Sequence, residues 1–293
     1  LRPRHTSIAL LLAAAVLFST GGAAIKAATL TAWQVASFRS GVAAAALYLL
    51  LPVARRFELR MAPAALAYAG MLLLFVLATR LTTAANAIFL QSTAPLYLLG
   101  IGPLLLREPL KPRDLGFAAG VVAGMALLFA RADAPSGTAP DPALGNLLGA
   151  AAGLFWALTV ASLRWLGKEG KSSLASVAFG NTMAFVLGLP MALPVERLAA
   201  GDVAVLAYLG VVQIGLAYVC VTRALEHVIA FEASAILLVE PALNPVWAWL
   251  VHGERPGAWS IAGGGVILGA IAVKTVIDER AARVARPEGR GSE

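Results

Sequence analysis

Ten apolar runs, each near the length of a membrane crossing, constrain this chain more than any other feature. They fall at 7–25, 31–52, 62–79, 82–105, 113–131, 144–163, 173–193, 202–222, 229–251 and 258–277. A helix needs about 20 mainly apolar residues to cross the hydrocarbon core of a bilayer. Hydrophobic residues make up 59% of the 293 and charged ones 13%, against about 25% charged in soluble chains. The runs are joined mostly by short turns, so consecutive helices are close antiparallel neighbours. The predicted fold is an all-α integral membrane protein with ten transmembrane helices. A cleaved leader is the competing reading of the first run. Arg2 and Arg4 precede it, and Gly22-Ala23-Ala24 resembles a small-residue cleavage site. Cleavage would leave nine spans and break an internal repeat.

That repeat relates the two halves at an offset of 146 residues. Pro95 is followed thirteen residues later by Glu108, and Pro241 thirteen residues later by Glu254. Ala84 and Ala87 match Ala230 and Ala233. Gly116, Gly120 and Gly124 fall every fourth residue, and Gly265 and Gly269 repeat the spacing in the last run. The polar stretch from Arg131 to Pro142 lies between the halves. The expected organisation is a five-helix repeat over 1–131, a linker over 132–143, and a second five-helix repeat with a short basic tail over 144–293. An odd number of helices per half inserts the halves upside down to one another. Inverted repeats mark secondary transporters, with the site near the midplane between them.

The net charge of +7 does not indicate nucleic acid, because the basic residues sit in the turns. Seventeen Lys and Arg fall on the side of the chain termini and five on the other, with Arg39 inside a run. By the positive-inside rule both termini are cytoplasmic. The expected location is a bacterial cytoplasmic (inner) membrane, crossed many times. The one cysteine, Cys220, rules out a disulfide framework. His5, His227 and His252 share no ligand spacing, so no metal is expected. There is no nucleotide-binding, G-x-S-x-G or H-E-x-x-H motif, so no cofactor and no enzyme activity is expected.

The run ILLVEPALNPVWAWLVHGERP, from Ile236 to Pro256, holds a carboxylate beside a proline, Glu240-Pro241, with Pro245 one turn on. Each proline removes a backbone donor and pushes away the carbonyl four residues back. Freed carbonyls at membrane depth must face protein or water. Charges there mark function by default. The sequence therefore places helix breaks at Pro241, Pro245 and, in the first half, Pro95. The plain alternative is a kinked packing helix whose Glu240 pairs with a base. Arg39, eight residues into the second run, is the obvious base, and would otherwise grip a substrate carboxylate.

Several of these residues carry a resemblance. Arg39, the Pro95-to-Glu108 segment, Glu240-Pro241 with Gly253-Glu254-Arg255, and the glycine-spaced fifth and tenth runs resemble the drug/metabolite transporter superfamily in its two-repeat EamA form. Nearly the whole chain is covered. The resemblance implies a basket of ten helices around a central cavity. One departure is Ala94, where the second half has Glu240, so the carboxylate's role is not symmetric. In overall texture, rather than by a diagnostic motif, the chain is most similar to YddG-type aromatic amino acid exporters.

The candidate substrate-binding residues are Arg39, Glu240, Asn244, Gln91, Tyr97, Trp156, Phe89 and Tyr218. Asn244 is one turn from Glu240, on the same face of a continuous helix. The amides also read as interhelical glue, and the aromatics as packing. The leading reading is a secondary transporter exporting small metabolites, amino acids including aromatic ones, by alternating access. The alternatives are another metabolite or drug class, an intramembrane enzyme, or a channel. The expected partners are a small-molecule substrate and the lipid bilayer, without nucleic acid. A monomer is favoured over a dimer.

Overall fold

The structure, a computed structural model, describes residues 3–106, 112–130, 135–168, 173–224, 236–237 and 239–284. Ten helical runs follow one another among these residues, each on one of the ten apolar runs. They are α1 (Pro3–Ser19 and Gly21–Ala27), α2 (Ala32–Leu50), α3 (Ala62–Leu81) and α4 (Ala84–Gln91, Ala94–Ile101 and a π turn over Gly102–Leu106). Then come α5 (Pro112–Ala130), α6 (Pro142–Lys168) and α7 (Ser173–Ala192). The last are α8 (Ala200–Ala207, a π-helical stretch Tyr208–Leu216, and Ala217–Ala224), α9 (Val239–His252) and α10 (Ala258–Val284). Of the repeat signals, Glu108, Ala230 and Ala233 lie outside the described residues.

Six of these runs are long and apolar enough to cross a membrane: His5–Ala27, Leu59–Leu81, Ala84–Leu105, Pro142–Leu163, Leu174–Ala192 and Ala200–Val221. Asp114–Ala130 and Ala258–Lys274 are shorter apolar helices. α2 and α9, which carry Arg39 and Glu240, belong to neither group. The outside of the bundle is apolar: Leu49 is 75% exposed, Leu104 83% and Leu250 62%. A surface of this kind fits lipid rather than water.

The helix starts follow from local chemistry. Thr31 and Gln34 form a reciprocal capping box at α2, bonding each other's backbone N–H at 3.2 and 3.0 Å. The Thr83 hydroxyl accepts from Asn86 N at the head of α4, and Asp141 accepts from Leu144 N at the head of α6.

Small residues set the crossings. α3 packs on α6 and α7, α2 on α7 and α8, α1 on α8 and α9, α4 on α6, and α5 on α10. At the α5–α10 crossing a Cβ on Gly124 would sit 2.8 Å from the Gly263 carbonyl oxygen, and one on Gly263 2.7 Å from the Gly124 oxygen. Backbone meets backbone there, as small residues permit in membrane helices. The residues doing this differ from those expected. Gly116, Gly265 and Gly269 have nothing within 4 Å of a built Cβ, so the seam runs through Gly120, Gly124 and Gly263. Register between two helices depends on where they cross, which a four-residue spacing does not specify.

The helix breaks also differ in part. α4 is interrupted at Ser92–Thr93, whose hydroxyls bond Ile88 O and Leu90 O at 2.7 and 2.6 Å. Pro95 starts the next piece, where its missing N–H costs nothing. α9 runs through Pro245 without interruption, a correction to the expected break. Pro241 falls in the first turn of its described part. Two irregularities were not foreseen. α1 is interrupted at Thr20, and α8 widens to a π-helix. The Ser19-Thr20-Gly21-Gly22 run is the sequence signal for the first.

Candidate functional site

Arg39 projects from α2 into the bundle and is 2% exposed. Its Nη2 reaches Leu72 O at a long 3.5 Å, and its Nε has no partner. A guanidinium carries five donors, so this one is left short of acceptors. Glu240 enters from the first turn of α9, partly buried. Among the described residues no ion pair joins Arg39 to any carboxylate, nor Glu240 to any cation. The two candidate charges do not pair with each other.

Both bear electrostatically on a residue that sequence reasoning missed. Tyr68, on α3 and 2% exposed, lies in the field of both Arg39 and Glu240. Tyr218 on α8 and Asn181 on α7 are its polar neighbours. The two tyrosine rings stand edge to face with centroids 6.3 Å apart, and Phe18 of α1 packs on Tyr218 at 5.4 Å. Asn181 is fully buried and its Oδ1 is unpartnered. Six helices thus bring one cation, one carboxylate, two phenols, one amide and one phenyl ring together. Tyr68 gave no signal in the sequence, because a lone aromatic in an apolar run reads as packing. Gly180 is what admits it: a Cβ there would lie 2.8 Å from the Tyr68 ring and from Ala65 O.

Asn244, one turn after Glu240, is 1% exposed with neither amide atom partnered. It lies against Gly22, whose built Cβ would meet its Oδ1 at 2.5 Å. Gln213 of α8 donates to Phe18 O at 3.3 Å, and its own Oε1 is unpartnered. Thr20 shares a hydrogen bond of 2.7 Å with the Tyr208 hydroxyl, and Trp247 donates to Ser19 Oγ at 2.8 Å. The interruption of α1 is therefore ringed by polar side chains of α8 and α9.

The remaining expected residues make other contacts that the structure describes. Phe89 lies against Gly264 of α10, at 2.2 Å from a built Cβ, so it fills a helix crossing. Tyr97 donates to Ala150 O of α6 at 3.1 Å. Gln91 donates to Met71 Sδ of α3 at 3.0 Å. Trp156 is partly buried against the main core. One cavity of about 410 Å3 is an apolar groove lined by Phe38, Val42, Leu198 and Leu206. Another of about 340 Å3 lies at the end of the bundle near Thr138 and Glu254. Neither is lined by Arg39, Tyr68 or Glu240.

A bundle of apolar-faced helices that carries Arg39 and Glu240 within it, neither in an ion pair among the described residues, is the architecture of a polytopic membrane transporter. The chain belongs to the EamA-like transporter family, whose model matches residues 5–130 and 143–276. Its role is thus transport rather than enzyme catalysis, and among the described residues no three His, Cys, Asp or Glu are grouped to hold a metal. Among curated proteins none matches the chain. One solved protein crystal structure is similar at a TM-score of 0.63 and 19% identity, covering 95% of this chain and 99% of that one. That likeness is one of fold.

Proposed function

We propose that the chain is a secondary exporter of zwitterionic amino acids, including aromatic and large apolar ones, working by alternating access. The observation that carries this reading is that Arg39 and Glu240, neither in an ion pair among the described residues, both bear on Tyr68. A carboxylate on the substrate would supply the acceptors that Arg39 lacks, and an ammonium would give Glu240 a counter-ion. Tyr68, Tyr218 and Phe18 offer an aromatic wall between them, and aromatic pairs add about 0.5–1.5 kcal/mol beyond burial. Such a wall discriminates weakly, because a missing methylene costs only about 1–3 kcal/mol. Selectivity is therefore broad, and binding weak, on the order of millimolar or about 4 kcal/mol.

The packing supports two inverted halves, divided at the 132–143 linker, spanning the membrane ten times. Exchanging α1 with α6, α2 with α7, α3 with α8, α4 with α9 and α5 with α10 turns the α3–α6 contact into α8–α1. It likewise turns α4–α6 into α9–α1 and α3–α7 into α8–α2, and each of these contacts exists. The α2–α7 and α5–α10 contacts map onto themselves. The two stretches matched by the family model flank the linker, which supports the same division. With the charge bias, both termini face the cytoplasm of a bacterial inner membrane.

The test is uptake and counterflow of labelled phenylalanine, tryptophan, threonine and methionine in proteoliposomes, with a sugar and a nucleoside as controls. Saturable amino acid counterflow is expected. Movement of the sugar or nucleoside with no amino acid moving would overturn the substrate and leave the family role intact.

A further inference from the structure

At the linker end of the bundle a buried ion pair joins four segments. Lys26, at the end of α1, lies 2.9 Å from Glu254 in the turn after α9, and both side chains are 3% exposed. Lys26 also donates to Thr82 O at 2.8 Å, just past α3, and to Thr138 O in the linker. The other Glu254 oxygen accepts from Ala84 N at 2.6 Å, in the first turn of α4. The turn is shaped for this contact, because Gly253 adopts φ +65°, which favours glycine.

The helices gathered here are the irregular ones. Lys26 lies beyond the interruption of α1 at Thr20, Ala84 heads the piece of α4 that ends before Ser92–Thr93, and Glu254 follows a helix containing Pro245. Each has an interruption or a missing ladder bond between the ion pair and the far end. By contrast, Arg80 bonds Ile25, Ala28 and Leu30 carbonyls, and Asp202 accepts from Thr29, tying α3 and α8 to the end of α1 and the connector after it. A cavity of about 340 Å3, lined by Thr83, Thr138, His252, Glu254 and Arg255, adjoins the pair.

We propose that Lys26–Glu254 is the latch of the linker-end gate, which opens when the pair separates and both ions are hydrated. This rests on the transport reading and not on the substrate. A buried ion pair gives little net stability, since desolvation offsets most of the attraction. Closed and open forms therefore stay close in free energy, as an alternating gate requires. Removing one partner leaves the other charge buried and alone, which disfavours closure; removing both does not. Glu254 has a second duty as acceptor for Ala84 N, which a lysine cannot perform, so exchanging the two residues fails to restore closure.

The test uses the full chain in nanodiscs, in a Cys220→Ala background with Thr20→Cys as a reporter below the latch. The readout is the rate of modification by a bulky, water-soluble maleimide. Lys26→Met and Glu254→Gln are each expected to speed modification by roughly tenfold or more, and the double variant by clearly less than either. The exchange Lys26→Glu with Glu254→Lys stays fast. Joining Lys26→Cys to Glu254→Cys with a thiol-cleavable bifunctional reagent, in chain lacking Thr20→Cys, is expected to stop counterflow until the linker is reduced. Unchanged modification in the single variants, or full counterflow in the linked protein, overturns the latch. The modification assay needs no substrate, so it decides the latch even where no amino acid moves.

Discussion

Arg39 and Glu240 are each left without a counter-ion among the described residues, and both act on Tyr68. Their neutralisation should therefore lack the mutual rescue seen when both partners of one ion pair are removed. Arg39→Ala and Glu240→Gln are each expected to weaken substrate binding by roughly 30- to 1,000-fold, about 2–4 kcal/mol, as for the loss of one partner from a buried charged contact. Arg39→Lys recovers little of this, because an ammonium lacks the guanidinium fork. In thermal unfolding, the double variant should be less stable than either single variant. A double variant more stable than either single would mean that the two charges pair. Tyr68→Phe removes only a hydroxyl, worth about 0.5–1.5 kcal/mol, and is expected to raise the half-saturating concentration by roughly two- to twelvefold. No change in counterflow kinetics would remove Tyr68 from the site.

The helix crossings are set by which glycines meet backbone. Gly124→Ala and Gly263→Ala put a Cβ within 2.8 and 2.7 Å of a carbonyl oxygen that cannot swing away. Each is expected to destabilise the protein by about 1–3 kcal/mol, the usual cost of overpacking. Gly265→Ala and Gly269→Ala meet open space and should leave unfolding in detergent unchanged or slightly raised. Equal effects at all four positions would show that the α5–α10 seam lies elsewhere. The interruption of α4 has a comparable division of labour. Thr93→Val deletes the hydroxyl that bonds Leu90 O, whereas Pro95→Ala changes a first-turn position that needs no ladder donor. Thr93→Val is expected to cost about 1–3 kcal/mol and Pro95→Ala under about 1 kcal/mol, again read by thermal unfolding.

For the whole molecule, the helix order puts Arg56 and Arg197 at opposite ends of the bundle. Arg56 is exposed between α2 and α3, and Arg197 is exposed between α7 and α8. In a Cys220→Ala background, Arg197→Cys is expected to react with an impermeant thiol reagent added to intact cells, and Arg56→Cys only after the cells are opened. The reverse pattern would invert the orientation. Equal external labelling of both would contradict the alternation of the helices. Asp114 of α5 pairs with Lys274 of α10 at the end opposite Lys26–Glu254, so buried or half-buried ion pairs tie both ends of the bundle.

Helix number, the apolar exterior and the family were legible from residues read in order. Hydropathy is a local sum, and a run near 20 apolar residues can be counted without knowing its neighbours. The glycine-spaced runs and the Arg39, Glu240-Pro241 and Gly253-Glu254-Arg255 positions were legible for the same reason. The choice of partner for each side chain was not. Phe89, expected at a substrate, lies on Gly264, while Tyr68, passed over, packs on Tyr218 and Gly180. Lys26 and Glu254 are 228 residues apart in sequence and 2.9 Å apart in space. Such pairings depend on how far each helix slides and turns against several others. Each helical residue points about 100° from the one before it. Small residues such as Gly22, Gly180 and Gly263 settle those contacts, because they alone let two backbones or a ring and a backbone come together.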